Sequence, residues 1–167
     1  KDESEIALIR KAVDASIEGH KHLMAICQPG LMEYQLAAEF SNKVAQHGGQ
    51  DLGYPSIVAA GSNACCLHYD DNSDTLKDEE LLLVDAGGEV DYYTADITRT
   101  YPINGKFTPQ QKTIYNLVLA ALDGAIAVVK PGVPWDRMYR AAIEILVKGL
   151  VELDILKGTV EACLESG

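Results

Sequence analysis

The segment LLLVDAGGEVDYYTADITRT, residues 81–100, decides how this chain folds. Its apolar run LLLV ends at Asp85, two glycines follow shortly after, and a second run rich in aromatic and β-branched residues continues to Tyr101. Short runs of this composition, separated by glycine and aspartate, are typical of antiparallel β-strands. The sequence predicts four strands in this middle region, over residues 56–60, 65–69, 80–86 and 90–101.

Helical periodicity flanks the predicted strands on both sides. Apolar residues spaced by three and four predict one helix over about residues 4–27 and a second over about residues 33–46. The segment Thr108-Pro109-Gln110-Gln111 has the capping threonine, the first-position proline and the N3 glutamine that start a third helix. A fourth helix is predicted over about residues 135–153. The predicted fold class is therefore α+β, an antiparallel sheet with flanking helix pairs.

Carboxylates dominate the charge of the chain. Its 167 residues include 25 acidic and 14 basic side chains, a formal net charge of −11, and ten of the carboxylates lie between His68 and Thr100. Nucleic acids and anionic membranes require a basic surface, so we expect neither as a partner. No apolar run is long enough to span a bilayer. Clustered carboxylates either repel one another in water or surround a cation.

The four cysteines form no CxxC pair and no ligand series with the histidines. The vicinal pair Cys65-Cys66 lies in an apolar stretch, so we expect both thiols to be free and buried as small hydrophobic side chains. Free thiols are typical of proteins in a reducing compartment. The sequence therefore favours a cytoplasmic protein.

Asp85 and Asp96 are the strongest candidates for a site. If their strands form a hairpin, their odd separation lets them lie directly opposite each other, with Cβ atoms roughly 5 Å apart. Two carboxylates at that distance are unfavourable unless one is protonated or a cation lies between them. The residues alone equally allow each aspartate to end a strand or cap a turn. His68, on the predicted strand 65–69, is a further candidate, although a histidine bonded to backbone is the more common case.

Three motifs resemble those of the proline-specific metallopeptidases of the pita-bread fold. They are Leu83-Val84-Asp85-Ala86-Gly87, Ala95-Asp96-Ile97-Thr98-Arg99-Thr100 and Leu67-His68-Tyr69. The resemblance runs through essentially the whole chain, and the two aspartate motifs at this spacing are highly specific. It implies an incomplete pita-bread fold, with residues 1–167 forming the N-terminal portion of the catalytic domain.

The resemblance also implies a role for each candidate residue. In that family two divalent metals, usually manganese, are held by two aspartates, one histidine and two glutamates. Asp85 corresponds to the aspartate that binds one metal through both oxygens, and Asp96 to the aspartate that bridges the two metals. His68 corresponds to a catalytic histidine beside the metals that contacts the substrate or stabilises the tetrahedral intermediate. Tyr54 corresponds to a substrate-binding tyrosine near the site, and Thr98 to a hydroxyl that supports the bridging aspartate.

The sequence departs from the family pattern because it ends before the remaining ligands. The metal-binding histidine and the two glutamates of the family correspond to positions beyond Gly167, and the N-terminal domain that members usually carry is not part of the sequence. We therefore expect the complete enzyme to hold two manganese ions, and the 167-residue chain alone to bind metal weakly or not at all. We also expect this chain by itself to be inactive.

The resemblance implies a hydrolase that releases the N-terminal residue from peptides with proline in the second position. Two alternatives stay open: an Xaa-Pro dipeptidase, and a pita-bread module that binds peptides or proteins without cleaving them. Relatives of the second kind generally lose their metal ligands, so the presence of Asp85 and Asp96 favours the enzyme. The full-length protein is expected to be a homo-oligomer.

Overall fold

The computed structural model describes residues 1–166 and divides the chain into two compact units, Lys1–Phe107 and Thr108–Gly167. The first unit contains all the strands of the described residues and two helices. Its elements are α1 (Glu3–Ile26), α2 (Glu33–Gln46), β1 (Asp51–Leu52), β2 (Ile57–Ala60), β3 (Leu81–Asp85), β4 (Gly88–Val90), β5 (Tyr93–Thr94) and β6 (Thr98–Pro102).

The second unit is helical. Its elements are α3 (Pro109–Ala127), α4 (Trp135–Glu152) and α5 (Val160–Ser166). Helices α3 and α4 pack against each other, and Ala121 is the one buried residue among those described in this unit. Helix α3 begins as the sequence predicts, because Thr108 accepts a hydrogen bond from the Gln111 amide and Gln111 bonds back to the Thr108 amide. The short helix α5 is an element that the sequence interpretation missed.

The strands form two three-stranded antiparallel sheets, β1-β4-β5 and β2-β3-β6. The prediction of a single strand over residues 90–101 is wrong. Val90 pairs with Tyr93, and the two residues between them, Asp91 and Tyr92, both have positive φ, which is the geometry of a two-residue type I′ hairpin turn. The chain therefore reverses direction early, leaves the first sheet after Thr94 and joins the second sheet as β6.

The prediction of a strand over residues 65–69 is also wrong. A 3₁₀ helix, Gly61–Cys65, follows β2, and the chain then continues as a loop in which His68 has a φ of 55°. The segment is apolar enough to resemble a strand, but among the described residues it takes part in no strand pairing. Contacts with side chains elsewhere in the unit hold it instead.

The core of the first unit lies between the two helices and the sheets. Helices α1 and α2 pack on each other, α2 contacts β2, and α1 contacts β4 and β5. The largest buried side chains of this core include Leu23, Leu36, Phe40, Leu76, Leu82 and Ile103. Alternate residues of β3 are fully buried, as expected for a strand with one face on a core. In the part of the chain that is described, no helix is both long and apolar enough to cross a membrane.

Candidate metal centre

Asp85 and Asp96 lie in different segments of the first unit. Asp85 is the last residue of β3 and pairs with Ile57 on one side and Thr98 on the other. Asp96 lies in the short link between β5 and β6. The predicted direct pairing of the two aspartates is therefore wrong, because the link from Ala95 to Ile97 leaves the ladder before β6 begins.

The side chain of Tyr54 nevertheless connects the two carboxylates. Its hydroxyl donates a hydrogen bond of 2.6 Å to Oδ1 of Asp85 and lies 3.3 Å from Oδ1 of Asp96. A phenol carries one proton, and the shorter distance assigns that proton to Asp85. The structure thus brings both aspartates to the same hydroxyl, although they are not cross-strand partners.

The backbone around Gly87 explains how these residues meet. Strand β1 pairs with β4, and the Gly53 amide donates to the Gly87 carbonyl at 2.9 Å, which places the following residue, Tyr54, beside the end of β3. On the other side, the backbone of Ala95 lies so close to Gly87 that a Cβ atom there would overlap the Ala95 carbonyl oxygen. Glycine is required here for close approach of two backbones.

The electrostatics of the site keep the Tyr54 hydroxyl protonated. Burial raises the pKa of Tyr54 far above its usual value, and the hydrogen bond to Asp85 and the negative charges of Asp85 and Asp96 raise it further. Ionising the phenol would place a third negative charge beside two carboxylates. Tyr54 is therefore a hydrogen-bond donor to Asp85 over the whole physiological pH range.

His68, Asp85 and Thr98 line one cavity of about 260 Å³. The His68 side chain is exposed to solvent, so an incoming molecule can reach it. The remaining lining residues are Ile57, Ala64, Cys65, Cys66, Leu67 and Leu83. The cavity therefore brings His68 and Asp85 together, whereas Tyr54 and Asp96 are not among its described lining residues.

Thr98 lies opposite Asp85 in the ladder between β3 and β6. Its carbonyl oxygen accepts a hydrogen bond of 2.7 Å from Arg99, and its side chain is exposed. The expected support of Asp96 by the Thr98 hydroxyl stays a prediction. What the structure places beside Thr98 is the other aspartate of the pair.

Cys65 and Cys66 are both exposed, so the prediction that they are buried small hydrophobic side chains is wrong. The pair lies at the end of the 3₁₀ helix rather than in a strand, and both residues line a cavity that is open to solvent. All four cysteines are free, as expected.

Glu33 is a buried carboxylate that the sequence interpretation missed. Its Oε1 accepts hydrogen bonds from the Ala60 amide at 2.7 Å and the Asn63 side-chain amide at 3.1 Å. Its Oε2 accepts from the Tyr69 hydroxyl at 2.7 Å and the Asp74 amide at 2.9 Å. Four donors on one fully buried side chain bind the segment 60–74, which contains His68, to the start of α2.

No feature of the sequence separates Glu33 from other glutamates. A glutamate in the first turn of a helix is ordinary, because it complements the partial positive charge of the helix N-terminus. The four donors lie between 27 and 41 residues farther along the chain, so only the folded structure brings them to Glu33.

His20 is a buried histidine that contacts the backbone next to Asp85. It is buried in α1, and its Nε2 lies 3.0 Å from the carbonyl oxygen of Ala86. Its ring packs edge to face with the Phe40 ring, and the two ring centroids are 5.1 Å apart. Burial lowers the pKa of His20, and the backbone contact with Ala86 partly opposes that change. A neutral His20 therefore supports the backbone that follows Asp85.

The donor set fits part of a site for a hard or intermediate divalent cation. Carboxylate oxygens are the ligands preferred by such cations, which take about six ligands in all. Among residues 1–166, however, no group of three or more histidine, cysteine, aspartate or glutamate side chains is arranged to hold a metal ion. Asp85 and Asp96 therefore match part of a ligand set, and a complete site requires ligands from elsewhere.

Comparison with known proteins identifies the class. The sequence profile of metallopeptidase family M24 matches residues 7–161, and the chain therefore belongs to this family. It is 40% identical over 161 residues to the Xaa-Pro aminopeptidase of Escherichia coli K12, covering 96% of this chain and 36% of that protein. It is 46% identical to the probable Xaa-Pro aminopeptidase PEPP of Podospora anserina, covering 99% of this chain and 36% of the relative.

Solved structures agree with this assignment. The aminopeptidase PepP of Pseudomonas aeruginosa superposes with a TM-score of 0.97 at 43% identity, covering 99% of this chain and 38% of that one. A zinc-substituted E. coli aminopeptidase P in complex with product gives the same TM-score at 39% identity and the same coverage. The chain thus has the α+β pita-bread architecture of the family, and it spans about a third of the length of the relatives it matches.

Proposed function

We propose that the protein containing this chain is a metal-dependent Xaa-Pro aminopeptidase, which hydrolyses the bond between an N-terminal residue and a following proline. The observation that carries the proposal is the meeting of Asp85 and Asp96 at the Tyr54 hydroxyl, beside the cavity lined by His68. The family and the names of the relatives support the same reaction.

In this proposal, Asp85 and Asp96 would contribute ligands to two divalent ions, with manganese the expected metal, and further ligands would come from outside the 167 residues. When bound, such ions supply the Lewis acidity that lets a peptide bond be hydrolysed near neutral pH. Tyr54 orients Asp85 through its short hydrogen bond. Thr98, the first residue of β6, is proposed to support Asp96 through its hydroxyl.

His68 is proposed as the residue that contacts the substrate. Its exposed imidazole borders the same cavity as Asp85, so it can donate a hydrogen bond to the oxygen of a scissile carbonyl bound there. The bond before proline lacks an amide hydrogen, so selectivity must come from a pocket for the proline ring. The loop held by Glu33 fixes the direction from which His68 approaches.

The cellular compartment, the partners and the oligomeric state of the full-length protein are also proposals. Four free cysteines, two of them exposed, support a reducing cytoplasmic compartment. The acidic charge of the chain supports peptides, rather than nucleic acids or anionic membranes, as partners. The expected homo-oligomer of the full-length protein stays a prediction.

The test is a peptide cleavage assay on the full-length protein with manganese. We expect release of the N-terminal residue from an Xaa-Pro-Xaa tripeptide and no release from the matched peptide with alanine in place of proline. Preferential cleavage of Xaa-Pro dipeptides would instead indicate a dipeptidase. Binding of proline peptides without cleavage would indicate a binding module, and we expect the 167-residue chain alone to be inactive.

A further inference from the structure

The vicinal cysteines lie at the candidate site, and the proposed reaction makes no use of them. Cys65 ends the 3₁₀ helix, Cys66 follows it, and both are exposed. Both residues line the cavity that His68 and Asp85 also line. A reagent that binds the two sulfurs would therefore occupy the space in front of His68.

The geometry of neighbouring residues favours a dithiol over a disulfide. Consecutive Cα atoms are about 3.8 Å apart across a trans peptide, whereas the Cα atoms of ordinary disulfides are roughly 4.4–6.8 Å apart. A disulfide between Cys65 and Cys66 would therefore be strained. A larger soft atom can bridge two adjacent sulfurs with less distortion, and thiolates are the ligands that soft centres prefer.

We propose that Cys65 and Cys66 form a chelating site for trivalent arsenicals at the mouth of the candidate metal centre. With an arsenic(III) oxide group, the two S–H bonds break, two As–S bonds form, and the oxide oxygen leaves with both protons as one water molecule. Arsenic stays trivalent, so the step requires no oxidant or reductant. The same chelation applies to any small arsenical with two exchangeable oxygen ligands.

The other two cysteines lack this arrangement. Cys27 and Cys163 are each partly buried and have no neighbouring cysteine in the sequence. Burial also raises the pKa of the Cys27 thiol to about 11, which lowers its reactivity near neutral pH. They therefore serve as internal controls.

The test uses the 167-residue chain, phenylarsine oxide and intact mass spectrometry. We expect one phenylarsine adduct, formed with loss of one water, that survives excess glutathione and is removed by 2,3-dimercaptopropanol. The Cys27→Ser/Cys163→Ser variant should keep this adduct. In the single variants Cys65→Ser and Cys66→Ser, the adduct should no longer resist glutathione, because a single thiolate cannot chelate arsenic.

Labelling of histidines with diethyl pyrocarbonate tests the placement of the adduct. The arsenical should protect His68 and leave the exposed His47 as reactive as before. A glutathione-resistant adduct on the Cys65→Ser/Cys66→Ser variant would overturn the proposal, and so would unchanged reactivity of His68. Inhibition of peptide cleavage by the adduct would rest on the proposed function. The adduct mass and the labelling of His68 do not depend on activity, so the arsenical site and the proposed function can fail separately.

Discussion

At the scale of single residues, the site depends on one hydroxyl between two carboxylates. The sequence indicates that Asp85 and Asp96 are close, and the structure brings them to the same atom, the Tyr54 oxygen. The short hydrogen bond from Tyr54 stabilises the charge of Asp85, one of the two neighbouring carboxylates. Tyr54 is therefore the residue whose removal most directly disturbs the pair.

Replacing Tyr54 with phenylalanine removes only that hydroxyl. Hydrogen bonds to charged groups contribute about 2 kcal/mol, so we expect the free energy of unfolding to fall by about that amount. Urea denaturation followed by circular dichroism measures it. Tyr34→Phe is the matched control, because Tyr34 is exposed. Equal stability of the two variants would show that the Tyr54 bond contributes nothing.

Replacing Glu33 with glutamine exchanges one acceptor oxygen for a donor group. The amide nitrogen would then face two of the four hydrogens that Glu33 now accepts, and we expect a loss of about 3 kcal/mol in stability. Hydrogen exchange in residues 60–74 should accelerate at the same time. Glu3→Gln, an exposed first-turn glutamate of α1, controls for the helix dipole. Unchanged exchange in this segment would contradict the role assigned to Glu33.

At the scale of elements, the sequence predicts the four long helices and the strands β2 and β3, but it misses α5 and the way that residues 65–69 and 90–101 fold. Local signals such as the Thr108 cap determine where a helix begins, and α2 was predicted with its observed bounds, Glu33–Gln46. The turn between β4 and β5, which divides the predicted strand 90–101, depends on the positive φ of Asp91 and Tyr92. The loop of His68 depends on Glu33, which lies far away in the sequence. Composition cannot reveal either feature.

Gly87 joins the two sheets at the candidate site. A methyl group there would overlap the Ala95 carbonyl, so Gly87→Ala must displace the link that carries Asp96. We expect a loss of at least about 2 kcal/mol in stability, measured by urea denaturation. Gly105→Ala is the comparison, since its Cβ would meet open space and only its φ of +76° opposes alanine, at a cost of about 1 kcal/mol. A smaller effect at Gly87 than at Gly105 would contradict the close approach.

At the scale of the whole molecule, the two units differ in how many of their apolar side chains are buried. The first unit has a core that includes Phe40 and Leu36, whereas large apolar residues of α3, such as Val118 and Leu122, are exposed. An exposed apolar helix face of this kind favours association with another protein surface. The chain spans about a third of its relatives' length, so the remaining part of such a protein could supply that surface.

The stability of the first unit should fall in alkali because burial raises the pKa of Cys27 from 9.0 to about 11. The folded state holds this proton more tightly than the unfolded state, so the contribution is fully present below about pH 9 and is lost as the pH rises towards about 11. Urea denaturation across this range should show a shallower decline for Cys27→Ala. Identical pH dependence of the two proteins would contradict this assignment.

The proposed function requires that Asp85 and Asp96 act together on a divalent cation. Calorimetric titration of the full-length protein with Mn²⁺ tests it most directly, with Asp85→Asn, Asp96→Asn and the exposed-loop control Asp71→Asn compared in parallel. We predict that each of the first two variants loses at least about 100-fold in manganese affinity, while the control binds as the unmodified protein does. Unchanged affinity in either Asp85→Asn or Asp96→Asn would contradict the account.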